Sequence, residues 1–150
     1  MKERIALQLG ASPWQPSRSV RMIRELNFYD VPTEGVLRRR FSPSYYFFAC
    51  IDGVASEYSL WVYSPISWSE ARQLRRLETA KLRNFEVELL VNRPLLAVVA
   101  SEQGGILHRV QVQVTEPLKV EEPRLAKTAW ETVTQEIKAE AGAIERMAFC

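Results

Sequence analysis

The run Tyr45-Tyr46-Phe47-Phe48-Ala49-Cys50-Ile51-Asp52 constrains this 150-residue chain more than any other segment. Ser42-Pro43 precedes it and Asp52-Gly53 closes it. Short aromatic and β-branched runs between turn residues fold as strands. Side chains alternate across a strand, so a run this apolar is greasy on both faces. Each face then needs its own cover, which an isolated hairpin does not provide. Tyr58 to Tyr63 repeats the pattern, with Tyr58, Leu60 and Val62 on one face and Trp61 and Tyr63 on the other.

These runs organise the rest of the chain. Strands over 35–41, 45–52 and 57–63, joined by short loops, predict an antiparallel three-strand meander. Ser67-Trp68-Ser69-Glu70 matches a capping box and predicts a helix from 68 to about 80, with Ala71, Leu74 and Leu77 as its apolar stripe. Asn84 caps a second helix reaching about Asn92. Leu95 to Ala100 reads as a strand, Gly104-Gly105 as a hairpin turn, and Ile106, His108, Val110, Val112 and Val114 as the inward positions of the return strand. Ala126, Trp130, Val133, Ile137, Ala141, Ile144 and Ala148 recur at gaps of four and three, which predicts one long C-terminal amphipathic helix packed on the sheet. Residues 17–150 therefore read as a single α+β domain. Its five strands form one mixed or antiparallel sheet with helices on one side, or else a partly closed small barrel.

The N-terminal part divides in two. Residues 1–16 read as an arm, because Pro13 and Pro16 flank Trp14 and disfavour a helix. Trp14 is expected to dock on the core of its own chain. Val20, Ile23 and Leu26 follow at helical spacing, with Arg18, Arg21 and Arg24 beside them. That spacing predicts a short helix over 18–26.

Composition bounds the function classes. Apolar content of 47% and charged content of 25% are those of a globular domain. The net charge is only +2, but it is unevenly spread. Residues 1–41 carry eight Lys/Arg against four Asp/Glu, and residues 101–150 carry six against eight. No apolar run approaches the roughly 20 residues of a membrane span, and the first residues lack a secretory leader pattern. The two distant cysteines, Cys50 and Cys150, suit a reducing compartment rather than a disulfide framework. The expected setting is a bacterial-type cytoplasm, with no membrane partner.

Chemistry-bearing motifs are sparse. His108 is the single histidine, so no multi-histidine metal site is expected, and no cofactor signature is present. A thiol enzyme would need His108 as base for Cys50, with Asp52 on the same strand face to orient it. Cys50 lies mid-strand, where nothing stabilises a thiolate, so that reading ranks third and the chain is not read as an enzyme.

Two binding readings remain. The first is a non-catalytic protein-binding or adaptor module, acting on a protein partner or as a homodimer. Its contact residues would be Trp130, Val133, Ile137 and Ile144 of the C-terminal stripe. The alternative is a single-stranded nucleic-acid-binding domain. Arg72, Arg75, Arg76 and Arg83 gather on one helical face, and Arg38 and Arg40 share a strand face. With neighbouring aromatics they would supply phosphate contacts and base stacking. Unbroken strand alternation places Arg39 on the opposite face from Arg38 and Arg40.

Overall fold

The computed structural model describes residues 12–54, 58–77, 79–101, 106–114 and 131–139. They form one six-stranded antiparallel sheet: β1 (Val20–Tyr29), β2 (Val31–Arg39), β3 (Tyr45–Val54), β4 (Tyr58–Ile66), β5 (Leu95–Ser101) and β6 (Ile106–Val112). The spatial order is β1-β2-β3-β4-β5-β6, so every strand pairs with its neighbour in sequence. Three short helices accompany the sheet: α1 (Trp68–Arg76), α2 (Thr79–Leu90) and α3 (residues 131–139).

This arrangement corrects three expectations. The three-strand meander expected over 35–63 is instead β2, β3 and β4 of a six-stranded antiparallel sheet, where five strands were expected. The helix expected over 18–26 is strand β1, paired with β2 along its length. The single long C-terminal helix is replaced by one short helix among three. Only residues 131–139 of that region are described as helical. Ala126, Trp130, Ala141, Ile144 and Ala148 lie outside the described residues. The physical reason is division of labour. Ala71 and Leu74 of α1, Val87, Leu89 and Leu90 of α2, and Val133 and Ile137 of α3 all pack in one core, so one long stripe is not required to cover the sheet.

The misread β1 has an identifiable cause. Met22 pairs with Leu37 and Arg24 with Val36, so Ile23 is an extra residue at a β-bulge. A bulge reverses the alternation of side chains beyond it. Val20 and Met22 therefore belong to one face, whereas Leu26 packs on the other. Apolar residues three apart imitate a helix when a bulge sits between them.

The sheet is buried on both faces. On the helix-covered face, Phe47, Ala49, Val62, Leu95, Ala97 and Val99 pack beneath the helices. On the other, Leu37, Tyr46, Phe48, Trp61, Tyr63, Leu96 and Val98 form a second cluster. Trp14 joins it, with its ring centroid 6.0 Å from that of Trp61, as expected of a docked arm residue. Phe48 lies 6.1 Å from Trp61 and 6.3 Å from Tyr63, within the range where aromatic pairs add to area burial.

Helix α1 starts as its sequence dictates. The Glu70 amide donates to Ser67 Oγ at 3.1 Å, and the Ser67 amide donates back to Glu70 Oε1 at 2.9 Å. Arg93 donates to both Glu70 oxygens and to the Pro65 carbonyl, tying α1 to the entry of β5. The helix ends at Arg76 because Leu77 is extended, with φ −74° and ψ 138°.

Two consequences are measurable. A Cβ on Gly35 would lie 2.6 Å from the Arg24 carbonyl oxygen and 2.7 Å from Phe48 Cε1. Gly35→Ala must push backbone or a buried ring, and should cost about 1–3 kcal/mol in a urea melt. The Glu70 carboxyl is held below its ordinary value of 4.5, first by the Arg93 hydrogen bond, against the opposing effect of burial, and also by Ser67. A carboxyl depressed in the folded state stabilises above its unfolded pKa, and that stability is lost as pH falls through the folded value. Glu70→Gln should therefore melt below wild type at pH 7, and the gap should close below pH 4.5 in a Tm-versus-pH series.

Candidate anion and base groove

The bulge at Ile23 also builds a chemically distinctive surface among the described residues. Arg21 pairs across the strands with Arg38, and Arg24 with Val36. Residues three apart would face opposite ways in an unbroken strand. With Ile23 taken up by the bulge, Arg21 and Arg24 both reach the helix-covered side at the sheet edge. There they meet Arg75 of α1. These four arginines line a groove of about 290 Å³ together with Val36, Tyr45, Trp68 and Ala71.

Its electrostatics are one-sided. Among the described residues, no carboxylate lines the groove. The sole carboxylate of α1, Glu70, is committed to Arg93 and Ser67. Like charges directly opposite on paired strands are destabilising, and Arg21 and Arg38 are such a pair. The buried Nε atoms of Arg24 and Arg38 have no hydrogen-bond partner among the described residues. An unmet buried donor costs about 1–3 kcal/mol.

Aromatic rings complete the wall. The Tyr45 and Trp68 centroids lie 5.5 Å apart at 36°. The Arg38 guanidinium sits 5.7 Å from the Tyr45 ring centre and Arg72 sits 5.9 Å from that of Trp68. Such stacking holds the guanidinium planes in place while leaving their edges free to bind oxygen. Trp68 is 52% exposed, unusual for a ring of its size. The Ser67 cap fixes its position as the first residue of α1.

A second cavity of about 260 Å³ adjoins the first and shares Arg21 and Arg38 with it. Its other lining residues are Arg39, Arg40 and Phe41, at the turn between β2 and β3.

Of the nucleic-acid residues expected from sequence, Arg38, Arg72 and Arg75 converge here, and Arg40 lines the adjoining cavity. Arg76 is exposed in the last turn of α1, where a cation also favours the helix C-terminus. Arg83 belongs to α2. The spacing of Val20, Ile23 and Leu26 predicts a helix that carries Arg21 and Arg24, and the bulge instead makes both part of the set. The protein-contact stripe fares differently. Val133 and Ile137 are fully buried in the core, and Trp130 and Ile144 lie outside the described residues.

The structure does not assemble the thiol pair. A second bulge, between Cys50 and Asp52, pairs Cys50 with Trp61 on one face and Asp52 with Leu60 on the other. Asp52 there meets Lys138 at 3.2 Å. Burial pushes the Cys50 thiol up to about 11, so it is not a thiolate near neutrality. His108 pairs with Val99 on β6, three strands from β3, which is roughly 14 Å by strand spacing. Among the described residues, no group of three His, Cys, Asp or Glu could hold a metal, and no helix is long and apolar enough to cross a membrane.

No family model, no curated protein and no solved structure matches this chain.

Proposed function

We propose that this protein binds single-stranded nucleic acid in the groove between α1 and the β1–β2 edge of its sheet. One observation carries the reading: Arg21, Arg24, Arg38 and Arg75 share a carboxylate-free groove with Tyr45 and Trp68. Four cations brought together against their mutual repulsion call for a polyanion. The aromatic wall calls for planar groups between the anionic ones. An acidic peptide meets the first requirement but not the second.

In this reading the arginines take phosphate oxygens, which Arg binds with paired N–H donors. Trp68 and Tyr45 stack a base, an interaction tolerant of sequence because every base has a π-face. Duplex is disfavoured, since its bases are already stacked on one another and do not offer a free face to Trp68 or Tyr45. Free Cys50 fits the reducing, cytoplasmic setting taken from composition.

The test is fluorescence-detected titration with a fluorescein-labelled thymidine oligonucleotide across 50–200 mM salt. Four phosphate contacts should give a log–log slope near −3. A slope near zero would sink the reading. Arg21→Ala and Arg75→Ala, both at exposed side chains, should each weaken binding by about 1–2 kcal/mol while leaving Tm within a degree or two. Equal binding of polyglutamate and oligonucleotide would instead favour an acidic protein partner.

A further inference from the structure

The two adjoining cavities differ in character but share two residues. The first holds Tyr45 and Trp68, and the second holds Phe41. Arg21 and Arg38, a directly opposed cross-strand pair, belong to both.

Phe41 is 96% exposed. What sets it apart is its place, since it lines the second cavity with Arg21, Arg38, Arg39 and Arg40. This turn is not loose. The Arg39 amide donates to the Ser44 carbonyl at 3.0 Å, and the Arg40 amide donates to the Ser19 carbonyl at 2.9 Å. The Ser42 and Ser44 hydroxyls lie 3.0 Å apart. The turn is pinned at both ends, and it presents the ring outward beside a cluster of guanidinium groups.

Building on the proposed nucleic-acid reading, we infer that the two cavities are consecutive nucleotide subsites on one track. Trp68 and Tyr45 stack one base and Phe41 stacks the next. The phosphate that joins the two nucleotides lies on Arg21 and Arg38, which explains why both cavities share that pair. The smallest ligand that uses the whole site is therefore a dinucleotide. A mononucleotide fills half of it.

The experiment compares 5′-phosphorylated thymidine mono-, di- and tetranucleotides by calorimetric titration against the full chain. The dinucleotide should bind at least about tenfold more tightly than the mononucleotide, the size of one added base–aromatic stack. In Phe41→Ala that ratio should fall to near one. Tyr29→Ala should keep the wild-type ratio. Tyr29 is 81% exposed but sits at the opposite end of the β1–β2 hairpin. A wild-type ratio near one, or a ratio that survives Phe41→Ala while Trp68→Ala still weakens every ligand, would overturn the two-subsite track and leave single-strand binding intact. Failure of all three ligands to bind would overturn the binding reading itself. Because Phe41 is almost wholly in solvent, its replacement leaves the fold intact, and a matching Tm confirms this.

Discussion

Burial of both faces of the central strands governs this fold. Tyr46, Phe47, Phe48 and Ala49 of β3 are all buried, as are Leu60 to Tyr63 of β4. A strand buried on both faces needs partner strands at its sides and a layer above and below. The remaining elements answer those needs. Strands β2 and β5 flank the pair, the three helices cover one face, and Trp14 packs into the cluster on the other. With β3 and β4 held centrally, β1 becomes an edge strand, free to carry charge that a central strand would not tolerate.

Of the irregularities in the sheet, the bulges at Ile23 and Ile51 bear on the candidate sites. Periodicity in a sequence assumes unbroken alternation, and each bulge breaks it by one residue. In β1 the break gathers Arg21 and Arg24 on one side with Arg38 and Arg75. In β3 it sends Cys50 and Asp52 to opposite faces, although spacing alone puts them together. One irregularity makes a site and the other dissolves one. Neither leaves a mark in composition, because the inserted residues, Ile23 and Ile51, are ordinary strand formers.

Local chemistry was far more readable than long-range assembly. The Ser67–Glu70 box and the strands that the structure has as Tyr45–Val54 and Tyr58–Ile66 rest on nearest-neighbour physics, whereas the docking of Trp14 on its own core followed from its size and apolarity. The arginines of α1 could be picked out on a helical wheel, but their partners could not. Arg21 and Arg24 lie some fifty residues away in sequence and meet Arg75 only through sheet and helix packing. The same limit applies to α3. Val133 and Ile137 signal an amphipathic helix, but not that they share one core with residues of α1 and α2.

The strictly sequential strand order has a kinetic meaning. Every strand pairs with its neighbour in sequence, and every connection except the one from β4 to β5, which carries α1 and α2, closes a short loop at little cost in chain entropy. A polypeptide emerging from the ribosome could pair each strand with the one just before it, without waiting for distant sequence. The groove residues, from Arg21 to Arg75, all belong to the first half of the chain. The groove arginines are thus all synthesised before β5 and β6, whereas Arg93, which ties α1 to the entry of β5, follows them.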